Sequence, residues 1–101
     1  MADCARRPLR RLGRRTIGGA AVVGSDIFER AQRRLRATLG RNVRELRLSL
    51  TMTQSDLADR AGIRRALISD FERGETNATL DSVVRIAVVL GVDPAKLLTR
   101  P

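Results

Sequence analysis

The chain is predicted to be all-α: five short helices, preceded by an extra N-terminal helix and a basic arm. Three observations predict this. Apolar residues recur at spacings of three and four in successive segments, the period of a helix that turns one face to a core. Between the segments stand residues that start helices (Thr53, Thr79, Asp93) and glycines that end them (Gly62, Gly74, Gly91). A chain of 101 residues makes one domain, and its core must be aliphatic, because there are two Phe and neither Trp nor Tyr.

Residues 1–24 carry Arg pairs at 6–7, 10–11 and 14–15, followed by TIGGAAVVG. The pairs repel one another and the Gly-rich run supports no helical turn, so this stretch reads as a basic, disordered arm. GGAAVVG is too short for the apolar region of a secretory signal, and no cleavage site follows it. Two other readings of the arm stay open: an Arg-rich, acid-poor organellar transit peptide, and a translation start further on, near Val22 or Val23.

Residues 25–38 read as an extra helix. Ser25 suits an N-cap, and Asp26 and Glu29 stand in the first turn, where the helix dipole favours acids. Ile27 or Phe28, Ala31 and Leu35 make an apolar stripe, and Arg33, Arg34 and Arg36 lie near the C-terminal end. Gly40 either ends this helix or is passed by a helix that runs on into the next segment.

Residues 53–74, TQSDLADRAGIRRALISDFERG, read as two short helices joined by a tight turn. The Thr53 hydroxyl can accept from a free N–H in the first turn. Leu57, Ala58 and Ala61 give the first helix an apolar face. Gly62 stands where the chain turns and tolerates positive φ. Ile63, Leu67, Ile68 and Phe71 form the inward face of the second helix, and Gly74 closes it. Ala58 supplies the small side chain that two helices need where they cross at about 90–120°.

Thr79 caps the next helix, with Asp81 in its first turn, Val83, Ile86, Ala87 and Leu90 inward, and Gly91 at its end. Asp93 and Pro94 open a last short helix as N-cap and N1, where the missing N–H of proline costs nothing. Leu97 and Leu98 dock it.

Charge and residue types narrow the function classes. The net charge is +9, from 20 basic residues against 11 acidic, and all but Lys96 of the basic residues are Arg. Residues 1–35 hold nine Arg against Asp3, Asp26 and Glu29, a net +6, and the remainder holds eleven basic residues against eight acids, a net +3. A basic domain with a basic tail fits a polyanion, with nucleic acid first. There is no His, and Cys4 is the single cysteine. The sequence therefore offers no intrachain disulfide, no thiolate metal site and no credible catalytic group, and no cofactor is expected. The longest apolar run, IAVVL at 86–90, is far too short to span a membrane. A reduced, cytoplasmic setting in a bacterium, phage or plasmid is expected.

Gln54, Leu57, Ala58, Ala61, Gly62, Ile63, Ile68, Ser69, Phe71 and Glu72-Arg73-Gly74 together resemble the phage repressor/Cro-type helix-turn-helix family, also called Xre-like. The resemblance covers residues 37–99. LGRNVRELRLSLTM is similar to the family's first helix, with Val43, Leu46 and Leu50 inward. TLDSVVRIAVVLGVDPAKLL is similar to its fourth and fifth helices. The implied architecture over residues 39–101 is a five-helix lambda-repressor-like DNA-binding domain. The implied function is sequence-specific binding of double-stranded DNA by a transcriptional regulator.

In that fold the second motif helix lies in the major groove, with its N-terminal half against the base edges. The implied base contacts are Arg64, Arg65, Ala66, Ser69 and Asp70. Arg65 suits a bidentate contact to guanine O6 and N7, or else a phosphate clamp. Ala66 suits a thymine methyl, and Ser69 can donate or accept. Asp70 either accepts from cytosine N4 or pairs with a neighbouring Arg, and the intramolecular pair is the favoured reading. Thr53, Gln54, Arg44 and Arg73 are the implied phosphate contacts, beside backbone N–H groups at a helix start. Arg47 and Glu72 match a structural salt bridge between the first and third helices. The chain departs from the family at Arg64, where many relatives place a capping Ser or Thr, and in having no outward Gln or Asn to read adenine. A site dominated by G·C pairs follows as an expectation.

One such domain covers too few base pairs for specificity, so a symmetric homodimer on an inverted repeat is expected, acting as a repressor of its own or a neighbouring promoter. Val88, Val89, Val92, Leu97 and Leu98 exceed what a small core needs and are the expected interface, with the helix at 25–38 as the alternative. Phage immunity repressor, antitoxin and restriction-modification controller remain open as subtypes. The competing reading is an antitoxin or similar component whose main partner is a toxin or another protein. No small-molecule effector is expected.

Overall fold

The computed structural model describes residues 25–100, and the Arg-rich arm of residues 1–24 lies outside them. Every element among the described residues is a helix: α1 Ser25–Ser49, α2 Gln54–Ala61, α3 Arg65–Arg73, α4 Leu80–Leu90 and α5 Pro94–Leu97. None is long and apolar enough to cross a membrane. Among the described residues, 25–32 and 33–100 fall into separate units. Within residues 25–32, Asp26 and Arg30 pair at 3.2 Å. Ile27 and Phe28 are exposed.

Of the two expectations for Gly40 the second holds, and the extra helix of residues 25–38 runs on into the next segment. Residues 25–49 form one helix, and Gly40 sits inside it. A glycine in a helix interior costs roughly 1 kcal/mol relative to alanine, so something else must require it. The requirement is tertiary: a Cβ on Gly40 would lie 2.3 Å from the carbonyl oxygen of Phe71 and 3.0 Å from that of Glu72. The absent side chain is what lets α1 meet the C-terminal end of α3.

Four helices close in the same way. After α2, Ile63 N–H bonds to Ala58 O and Gly62 N–H to Asp59 O; Glu75 and Gly74 repeat this on Asp70 and Phe71, and Val92 and Gly91 on Ala87 and Val88. This paired closure needs a left-handed residue at its centre, and Gly62, Gly74 and Gly91 have φ of 71°, 70° and 74°. The end of α1 uses the same bonds, Met52 to Arg47 and Thr51 to Leu48, but with Thr51 at φ 55°. That turn corrects one expectation. Leu50, read as inward, is 45% exposed, because the helix stops before the chain reaches it. Met52, after the turn, is buried instead.

The core is one aliphatic cluster around Phe71. Val43 and Leu39 come from α1, Leu57 and Ala58 from α2, Ile68 from α3, Val83, Ile86 and Leu90 from α4, and Leu97 from α5. Ala58 is 2% exposed, as the crossing of the two motif helices requires. Leu97 corrects another expectation: it is fully buried and unavailable to a partner. Asn42, a polar residue inside α1, is buried because its Nδ2 donates to the carbonyls of Leu97 and Thr99, both at 2.9 Å, and so ties α1 to the end of α5. The loop between α3 and α4 is tied back to α1 by a hydrogen bond from Arg36 to Asn77.

Candidate nucleic-acid interface

The α2–turn–α3 unit begins with a reciprocal cap. Thr53 Oγ1 accepts from Asp56 N–H at 3.0 Å, and Asp56 Oδ2 accepts from Thr53 N–H at 3.0 Å. The Thr-x-x-Asp spacing carries this signal in the sequence. The Thr53 backbone N–H, and secondarily its hydroxyl, hold the Asp56 carboxyl below the usual carboxylate range. The turn is closed by Gly62 and covered by Arg85 of α4, whose Nη1 reaches Ala61 O at 3.4 Å while its Nε pairs with Asp81 at 2.9 Å. The Arg85 role leaves no local signal in the sequence.

A buried ion pair fixes α3 to the rest. Arg47 Nε donates to Glu72 Oε2 at 2.6 Å and Arg47 Nη2 to Oε1 at 2.9 Å, a two-point contact. The two side chains are 9% and 5% exposed. Arg47 Nη1 donates to Met52 O at 2.8 Å, so the same guanidinium also holds the turn after α1. The carboxylate of Glu72 raises the Arg47 pKa further, against the opposing effect of burial. Gln54 joins the pair, donating from Nε2 to Glu72 Oε1 at 3.2 Å. The salt bridge thus stands where the sequence placed it. Gln54, expected on a phosphate, spends one amide hydrogen inward and keeps the other.

The two ends of α3 differ. At its start, Arg64 has extended φ and ψ of −78° and 145°, and its side chain makes no cap hydrogen bond, as its chemistry requires. Arg64, Arg65 and Ala66 are exposed, and neither Arg has an acidic partner among the described residues. At the far end the side chains are bound to one another. Arg73 contacts Ser69, Asp70 and Glu75. Asp70 therefore makes the intramolecular pair that was favoured for it, and Arg73, expected on a phosphate, is engaged within the chain. Arg44 is exposed on α1, with no ion pair among the described residues.

Of the expected interface residues, Val88 is 71% and Leu98 37% exposed, whereas Val89 and Val92 pack partly against the core. Sequence reading missed Leu80 and Val84, 80% and 45% exposed, which share the i, i+4, i+8 row of α4 with Val88.

This geometry defines a class of protein: a short helix pair with a glycine turn, whose second helix is fixed by a buried ion pair and exposes the residues at its start. The helix-turn-helix family model matches residues 43–97, and the chain belongs to that family. It is 43% identical over 65 residues to the control protein C.BamHI of Bacillus amyloliquefaciens, an alignment covering 63% of this chain and 80% of that one. Among solved structures it matches a hypothetical transcription factor of Neisseria at 36% identity and a TM-score of 0.65, over 66% of this chain and 77% of the other. The restriction-modification controller C.AhdI of Aeromonas hydrophila matches at 31% identity and a TM-score of 0.60, over 61% of this chain and 94% of its own.

Proposed function

We propose that the chain is a dimeric transcriptional regulator that reads an inverted repeat in double-stranded DNA, including the promoter of its own gene, within a restriction-modification system. The observation that carries this reading is the open start of α3. Arg64, Arg65 and Ala66 are exposed, and neither Arg has an acidic partner among the described residues, on a helix whose opposite face is fixed by Ile68, Phe71 and Glu72. A helix N-terminus carries partial positive charge, and two guanidiniums beside it suit guanine edges and flanking phosphates. Arg44, the Thr53 cap and the spare amide hydrogen of Gln54 supply the phosphate side. The kinship with control protein C.BamHI and with C.AhdI supports the controller role. Such a regulator works in the cytoplasm, with its DNA.

Two copies related by a twofold axis would set their α3 helices about 34 Å apart, one turn of DNA. The exposed row Leu80, Val84 and Val88, with Leu98 and the half-buried Val89 and Val92, is the surface that supports pairing. Leu97 has no part in it.

The test compares binding of the full-length protein to DNA upstream of its own gene and to a random duplex of equal length, at low and physiological salt. Preference for the upstream duplex by about a thousandfold at physiological salt is expected. Equal binding that vanishes as salt rises would overturn the reading. Val88→Glu should leave the helical signal intact while abolishing the dimer in sedimentation; an unchanged dimer would move the interface elsewhere.

A further inference from the structure

At the C-terminal end of α3 one cation is held on three sides. Arg73 donates from Nη1 to Ser69 Oγ at 2.8 Å, from Nη2 to Asp70 Oδ1 at 2.6 Å and from Nε to Glu75 Oε1 at 3.0 Å. All three guanidinium nitrogens are committed, in a planar fork that an ammonium cannot reproduce. Ser69 and Asp70 precede Arg73 by four and three residues, so the helix itself presents them to it. These two are also the outward residues of α3 nearest its middle.

The arrangement decides what each can offer to a base. A hydroxyl has one hydrogen and two lone pairs. One lone pair of Ser69 takes the Arg73 N–H, and the hydroxyl hydrogen is donated to no other group among the described residues. An oxygen that accepts from a cation is polarised toward donating. Ser69 therefore leads with its hydrogen, which suits guanine O6, thymine O4 and the N7 of either purine, while its second lone pair is the weaker acceptor for an amino group. Asp70 alone would be repelled by phosphates. Paired through Oδ1 its charge is partly offset by Arg73, which Glu75 shares, and Oδ2 stays open to the N4 amino group of cytosine.

We infer that Arg73 is a positioning residue of the DNA-reading surface, which sets Ser69 as a donor and orients Asp70 as an acceptor and so governs base preference without holding a phosphate. The inference rests on the DNA-binding reading above. In free protein this contact is half exposed, at 54% for Arg73 and 41% for Asp70, and weak. Exclusion of water by a duplex strengthens it.

The experiment selects duplexes from a randomised library with full-length wild type, Arg73→Lys and Arg73→Gln, and then measures affinity for the wild-type consensus across a salt series. Both variants should lose discrimination at the pairs read by Ser69 and Asp70 by about tenfold, the scale of one good base contact, with the log–log salt slope unchanged. Arg73→Lys is decisive, because a phosphate contact would survive it. If Arg73→Gln lowers the slope by about 0.9, keeps the base preference, and Arg73→Lys restores the slope, Arg73 holds a phosphate and the inference fails. Unaltered base preference in both variants also overturns it. A wild type that selects no consensus overturns the DNA-binding reading itself, whereas failure confined to the variants overturns only the role of Arg73.

Discussion

Replacing Gly40 by alanine sets two effects of opposite sign against each other. By helix propensity alone the change should stabilise α1 by about 1 kcal/mol. The new Cβ, however, would stand 2.3 Å from Phe71 O, when ordinary contact begins near 3.4 Å. The obstacle is backbone, so no side chain can swing aside, and α1 and α3 must separate by about an ångström. Overpacking of this kind costs roughly 1–3 kcal/mol or more. A rigid backbone contact belongs at the upper end, leaving a net loss of about 2 kcal/mol. For a domain of this size that lowers the melting temperature by about 8–16 °C. Thermal unfolding followed by circular dichroism measures it, with Ala37→Gly on the exposed side of α1 isolating propensity at a loss of about 1 kcal/mol. The displaced carbonyl also accepts the closing hydrogen bond from Gly74 at 3.1 Å, so DNA affinity should fall with stability. A melting temperature equal to or above wild type would refute the packing account of Gly40.

Three further outcomes are expected. Thr51→Gly removes a left-handed β-branched residue, a conformation costing about 1–2 kcal/mol, against a backbone entropy penalty for glycine of about 0.5–1 kcal/mol; a gain of about 0.5 kcal/mol in urea unfolding is expected, and a loss would mean Thr51 is not strained. Glu72→Gln strands the Arg47 charge in a site where both side chains are nearly covered and should cost about 3 kcal/mol in the same assay. Asp56 has its folded pKa lowered from 3.8, so its contribution is fully present above that value and disappears as pH falls through the lower, folded pKa. Wild type should therefore exceed Asp56→Asn in melting temperature at pH 7, with the gap closing below about pH 4; a gap that persists in acid would contradict this.

The helix starts and stops were legible because they are local. Thr53, Thr79 and Asp93 cap through their own side chains, and Gly62, Gly74 and Gly91 mark a φ that few other residues take. What could not be read depended on partners distant in sequence. Gly40 suits either a helix end or a helix that runs on, and only Phe71 against it decides between them. Leu97 and Leu98 are equivalent as letters, and only the docking of α5 buries the first and exposes the second. Leu50 keeps the helical spacing, yet Thr51 has already turned the chain. In the candidate site, the Arg47–Glu72 pair was legible through the family resemblance, and the Asp70 pair through charge. The capture of Arg73 by three acceptors was not, because a surface arginine has many rotamers and neighbours three and four residues away do not by themselves choose one.

The division of labour along α3 bears on how such a protein can change over generations. Arg64 makes no cap bond, neither it nor Arg65 has an acidic partner among the described residues, and Ala66 is exposed, while Ile68, Phe71 and Glu72 carry the packing. Substitutions at positions 64–66 therefore meet almost no stability threshold. A duplicated gene could drift through many base preferences there while every copy stayed folded, so related regulators could come to serve separate promoters in one cell without first passing through an unfolded ancestor.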